Sequence, residues 1–230
     1  GPVGDGDVRQ RDVAGAGDMP RLKALFHQSM VLICLITFPI TGCVVVLSHD
    51  LVALLFQRGA FGGQASLQTA QILICYSLGL FFHAFCIVGG IFFAALKDTK
   101  PLLYTGILSV ILNIVLNLVL MRIYDVQGIA LSTTLTLSVI TTIFFLLLKK
   151  RLAISSIPRI FSLFPAVGIS LCCMIAAGAG ARLFLGRCDL PLVARLAATA
   201  AGMIIVYGLV LLALRKDALQ NYLRIFKKTA

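Results

Sequence analysis

Side chains able to do chemistry are sparse in this chain. Nine Asp, no Glu and three His stand among its 230 residues. Catalysis needs a nucleophile, a base or a metal in a defined arrangement, and there is no HExxH, no GxxxxGK loop and no GxSxG turn. Transferases that act on polyprenyl phosphates hold Mg²⁺ with acidic residues near the membrane surface, whereas the Asp residues here are scattered singly. None of them lies in the middle of an apolar run, where a carboxylate could bind H⁺ or Na⁺. An ion site would therefore be built of carbonyls and hydroxyls, or lie outside this chain. Cys34, Cys43, Cys75, Cys86, Cys172 and Cys173 fall in apolar runs without CxxC or CxxH spacing and read as small packing residues, and Cys188 stands alone in a loop. The expectation is a protein that is not an enzyme and holds neither a metal nor a cofactor.

Four polar residues are candidates for a substrate path. Asn113 and Asn117 are four apart and share a helix face. They line a polar cavity if that face points inward, or join two helices at about 0.6 kcal/mol per contact. His83 lies mid-run, where a charged imidazole is costly, so it is either neutral and bonded to a neighbouring helix, the commoner case, or turned to a wet cavity. Arg58, beside Gly59 at the expected outer surface, could meet phosphate or anionic headgroups, or could simply snorkel to the interface. The hydroxyls from Ser132 to Thr142 are given no role, because such groups usually bond their own i−4 carbonyls.

The elements that must position these residues are membrane spans. The chain is 60% hydrophobic and 13% charged, with a mean hydropathy of +1.01, which excludes a water-soluble fold. Six uncharged runs are long enough for a hydrocarbon core of ~30 Å: 28–48, 66–96, 102–121, 128–148, 160–181 and 196–214. The fold class expected is an all-α integral membrane protein of six transmembrane helices. Fifteen Lys and Arg flank one side of these spans and five the other, which sets both termini in the cytoplasm. That basic balance, pI about 9.7, reads as topology and contact with anionic membrane lipids, not as nucleic-acid binding.

Three segments follow: 1–27, a cytoplasmic stretch partly disordered or amphipathic; 28–148, four spans; and 149–230, a two-helix hairpin with a basic tail. Met19 to Gln28 could form an amphipathic helix. Pro39 predicts a kink in the first span, and Leu51 to Phe56 reads as an interfacial half-helix ended by glycine. The long second run should tilt, bend near Gly89-Gly90, or project into the cytoplasm before Lys97-Asp98-Thr99-Lys100-Pro101 closes it. Ala176 with Gly180, and Ala198 with Gly202, should let the last two spans approach closely as a hairpin. The Gly-Pro-Val start and the absence of an apolar leader predict a piece of something longer.

Several segments in order carry a family resemblance. Leu54-Leu55-Phe56-Gln57-Arg58-Gly59-Ala60-Phe61, then Thr69-Ala70, Tyr76-Ser77-Leu78-Gly79-Leu80 and Ala95-Leu96-Lys97-Asp98-Thr99-Lys100-Pro101, resemble the second half of the MurJ/MviN lipid II flippases. Ala16-Gly17-Asp18-Met19-Pro20-Arg21-Leu22 resembles the cytoplasmic segment before that family's ninth helix. The resemblance implies a MOP-type exporter of fourteen helices in two lobes, of which this chain supplies helices nine to fourteen. It implies alternating-access flipping of an undecaprenyl-linked peptidoglycan precursor in the bacterial cytoplasmic membrane, with an N-terminal lobe as partner. It carries over no substrate-binding residue, because the family's pyrophosphate-binding arginines lie outside this chain. Gly89-Gly90-Ile91-Phe92-Phe93 stands where many members have an arginine before an aromatic pair, which leaves open another lipid-linked glycan as cargo. Two alternatives stand beside this: an O-antigen type flippase, and a non-transporting membrane scaffold.

Overall fold

The computed structural model describes residues 5–56, 62–152, 164–186 and 191–214, with side chains described from Leu22 onward. Six helices make up the described chain: α1 (Asp5–Phe56), α2 (Gly63–Leu78), α3 (Leu80–Ala95), α4 (Lys100–Arg151), α5 (Phe164–Leu185) and α6 (Leu192–Leu214). α1 lies between two partners, packing on α2 and α3 on one side and on α5 and α6 on the other, while α4 covers the far side of α2 and α3.

These helices are not the six expected runs one for one. α2 and α3 have 16 residues each, about 24 Å apiece at 1.5 Å per residue, so neither alone crosses a bilayer. They are joined through Gly79 with a 40° bend. α4 has 52 residues, about 78 Å if straight, but Asp125 breaks it with φ 49° and ψ −133°. Ser132 Oγ meets Asn117 Oδ1, a contact that residues fifteen apart in an unbroken helix could never make. α4 is therefore a hairpin of two antiparallel arms, Lys100–Tyr124 and Val126–Arg151, matching the separate runs at 102–121 and 128–148.

Several expectations change. Leu51 to Phe56 is the last part of α1 and not a separate half-helix, because α1 runs on as one element past Pro39 to Phe56. The second run bends at Gly79 instead of Gly89-Gly90. Gly89 makes room for packing instead. A Cβ there would lie 2.8 Å from Phe144 Cδ2, so the missing side chain seats that ring. α5 and α6 pair as expected, yet Gly180 and Gly202 face open space, and the tight approach is Gly178 against Met203.

Two apolar cores result. Phe26, Met30 and Ile33 of α1 pack with Phe85, Phe92 and Phe93 of α3 and with Ile140, Phe144 and Leu148 of α4. Phe26 and Phe92 meet edge to face with centroids 5.2 Å apart, and Phe93 meets Phe144 at 5.1 Å. The second core joins Val167 and Met174 of α5, Met203 and Tyr207 of α6, and Leu35 and Phe38 of α1. Among the described residues every buried polar side chain other than Tyr207 is a Ser or Thr, whereas Leu103, Ile107, Ile111, Ile114 and Leu118 of α4 are exposed. Small hydroxyls inside and large aliphatics outside is the arrangement of helices solvated by lipid.

The hairpin turn carries a testable strain. The backbone at Asp125 matches the first central position of a type II′ turn, where glycine is the favoured residue. Asp125→Gly should stabilise the protein by about 1 kcal/mol, seen as a melting point raised by roughly 2–4 °C. An unchanged melting point would mean that the turn is unstrained.

Candidate functional site

A polar seam closes the α4 hairpin within the membrane-spanning length. Asn117 Nδ2 donates to Asn113 Oδ1 at 3.0 Å, as their shared helical face requires. From the facing arm the buried Ser132 hydroxyl lies against both Asn117 Oδ1 and Ile129 O; it has one proton for two acceptors. Both amides are half-buried. The structure thus brings together two of the four candidates and adds Ser132, which joins them across the arms. The seam is neutral and oxygen-rich. Of its present bonds only the contact of Ser132 with Asn117 crosses between the arms, and its partly exposed amides are the part able to meet water or a polar solute.

His83 is elsewhere. It is exposed on α3 in a stripe with Ile87 and Ile91, and among the described residues no hydrogen bond links it to the seam. Arg58 lies outside the described residues. No group of three His, Cys, Asp or Glu gathers as a metal site among the described residues.

The broken span supplies the second feature. The last four carbonyls of a helix lack intrahelical partners, and in lipid such groups must be satisfied by protein. At the end of α2, Tyr76 O accepts from Gly79 N at 3.0 Å. Thr134 of α4 donates to Cys75 O at 2.8 Å, and Thr41 of α1 donates to Ser77 O at 2.9 Å. A Cβ on Gly79 would stand 2.8 Å from Thr134 Oγ1, so glycine is what lets α4 come close enough to serve the break. Farther along, Thr141 donates to Phe82 O at 2.9 Å. Thr133 and Thr142 do bond their i−4 carbonyls, as expected of all these hydroxyls, but Thr134 and Thr141 reach across. Sequence inspection missed this because nothing in a hydroxyl's own surroundings marks which neighbour has a spare carbonyl.

Two ion pairs fasten the ends. Arg182 of α5 grips Asp50 of α1 as a fork, Nε to Oδ2 at 2.8 Å and Nη2 to Oδ1 at 2.8 Å, while Nη1 reaches Val46 O at 3.2 Å. Arg151 at the end of α4 pairs with Asp98 before its start, Nη2 to Oδ2 at 2.7 Å. These pairs span 132 and 53 residues of chain, and no local spacing announces them.

Residues 12–186 match the family model described as lipid II flippase MurJ. Among similar proteins, a probable lipid II flippase MurJ of Synechocystis sp. is 30% identical over 141 residues, which is 61% of this chain and 26% of that protein. One from Borreliella burgdorferi is 24% identical over 152 residues, 66% of this chain and 30% of that protein. One from Rhizobium meliloti is 31% identical over 117 residues, covering 50% and 21%. Among solved structures, a lipid II flippase MurJ in an inward closed conformation shares the fold with a TM-score of 0.65 at 20% identity, over 81% of this chain and 37% of that one. The chain spans less than a third of the length of these curated relatives.

Proposed function

The chain belongs to the lipid II flippase MurJ family, and from that premise we propose that it forms six spans of a transporter moving undecaprenyl-linked peptidoglycan precursor across the bacterial cytoplasmic membrane by alternating access. The observation that carries this reading is the family match over residues 12–186. A span broken at Gly79 and tied to two neighbours by hydroxyls suits it, since discontinuous helices are recurrent parts of secondary transporters. Residues 28–148 act as the four-helix part of one lobe, with 149–230 as an appended hairpin and basic tail. The rocking partner is an N-terminal lobe of the same protein. Asn113 and Asn117 contribute polar surface to the substrate path, with His83 and Arg58 as further candidates. Both termini face the cytoplasm, where the basic ends meet anionic lipid.

Complementation tests the function. The gene extended upstream to its natural start, expressed in cells depleted of their own lipid II flippase, should restore growth and outward exposure of lipid II, and residues 1–230 alone should not. A well-inserted extended protein that gives no rescue would overturn the assignment. Orientation is read separately: green fluorescent protein fused after Ala230 should fluoresce, and alkaline phosphatase fused there should be inactive.

A further inference from the structure

Where the two ends of α4 come together, an open cleft of about 260 Å³ lies between its arms. Its walls are two ladders at helical spacing. One arm presents Lys100, Tyr104 and Leu108, each four residues from the next, and the other presents Arg151, Leu147 and Ile143 in the mirror order. Each ladder starts with a cation at the mouth and turns aliphatic farther in, about 6 Å along at Leu147 on one arm and about 12 Å along at Leu108 on the other. Asp98 takes one guanidinium nitrogen of Arg151 and holds it beside the mouth; among the described residues no second carboxylate pairs with this guanidinium, whose further N–H donors suit a second anion. Lys97, Lys149 and Lys150 stand within three residues of these two lining cations, so this end of the helices carries five cations against one carboxylate.

From this gradient we infer that the cleft is a site for an anionic phospholipid, its phosphate between Lys100 and Arg151 and an acyl chain along Leu108 and Ile143. A free phosphate would leave the aliphatic half of both ladders unexplained, and a zwitterionic lipid would leave the positive mouth uncompensated. The cleft opens sideways on the lipid-facing arm, whose Tyr104 is 69% exposed, so a lipid can enter from the bilayer. The inference rests on the membrane-span reading above and adds to it a defined place where basic residues hold one lipid.

The chain has no Trp, so a single introduced one reports its own neighbourhood. Tyr104→Trp places it at the cleft and Ile205→Trp on the exposed face of α6. Each full-chain variant is reconstituted in phosphatidylcholine bilayers with rising fractions of dibrominated phosphatidylglycerol or dibrominated phosphatidylcholine, and quenching is followed. At Tyr104→Trp, half-quenching should need several-fold less brominated phosphatidylglycerol than brominated phosphatidylcholine, while Ile205→Trp responds equally to both. Adding Lys100→Gln and Arg151→Gln to Tyr104→Trp should remove the preference, Lys149→Gln with Lys150→Gln should leave it, and excess glycerol phosphate should not displace it. Equal quenching by both lipids at position 104, or a preference that survives loss of Lys100 and Arg151, overturns the site. Displacement by glycerol phosphate replaces it with a free-phosphate site. If neither lipid quenches Ile205→Trp, the helices are not in the bilayer and the membrane reading falls with the inference; if that position is quenched normally, only the cleft assignment is at stake.

Discussion

Gly128→Val should leave little folded protein in the membrane, because the loss of stability expected from it is larger than a marginal fold can absorb. Gly128 is buried where the two arms of α4 leave the turn, and a Cβ built on it runs into the carbonyl group of Leu120 and stands 2.7 Å from Met121 N. All of these are backbone atoms of the facing arm, so no rotamer change relieves the clash. The arms must separate, and separation breaks the contact between Ser132 and Asn117 as well. Overpacking of this kind costs about 3 kcal/mol or more when nothing can move aside. Gly178→Ala is the control, because the atoms its Cβ meets belong to the flexible Met203 side chain, and methionine repacks at a cost of about 1 kcal/mol. Thermal unfolding of the purified proteins, followed by size-exclusion profile, ranks the two. If Gly128→Val melts with Gly178→Ala, the arms of α4 do not approach as closely as described.

What could be read from the sequence follows from the kind of interaction involved. The arms of α4 stood out as separate runs because Arg122 to Gln127 interrupts the apolar pattern, and a polar interruption between two bilayer-length runs is itself a local signal. Asn113 and Asn117 were legible as a pair because helical spacing alone puts them together. Ser132 was not, since its place opposite Asn117 depends on how far the second arm slides past the first, which Asp125 and Gly128 decide. Glycine was the least legible residue. Gly79, Gly89, Gly128 and Gly178 each make room for something on another helix or arm, and the identity of that neighbour is a property of the packed molecule. A glycine pair in sequence suggests a bend; in the fold Gly89 receives an aromatic ring while a single glycine ten residues earlier takes the bend.

Arg182 shows the same limit for charge, and its removal is the second large effect expected. By position it counts as one of five basic residues on the side of the spans poorer in positive charge, a detail of topology. In the fold it is the clasp between α1 and α5. The Asp50 side chain keeps 17% of its exposure and Arg182 39%, so the two partners are not equivalent. Arg182→Ala leaves a mostly buried carboxylate with His49 Nδ1 at 3.8 Å and Arg195 lining the same small cleft, and should cost about 3 kcal/mol, the lower end for breaking a buried pair. Asp50→Ala leaves an arginine that still reaches Val46 O at 3.2 Å and is wetter, so it should cost about 1 kcal/mol. The double variant should be no less stable than Arg182→Ala alone, because the stranded carboxylate is gone; that non-additivity is the signature of a direct pair. Melting curves of the two single variants and the double variant measure it. Equal losses that simply add would mean the fork contributes nothing as a pair, and α5 would then be held to α1 by its apolar core alone, through Val167 and Met174 against Leu35 and Phe38.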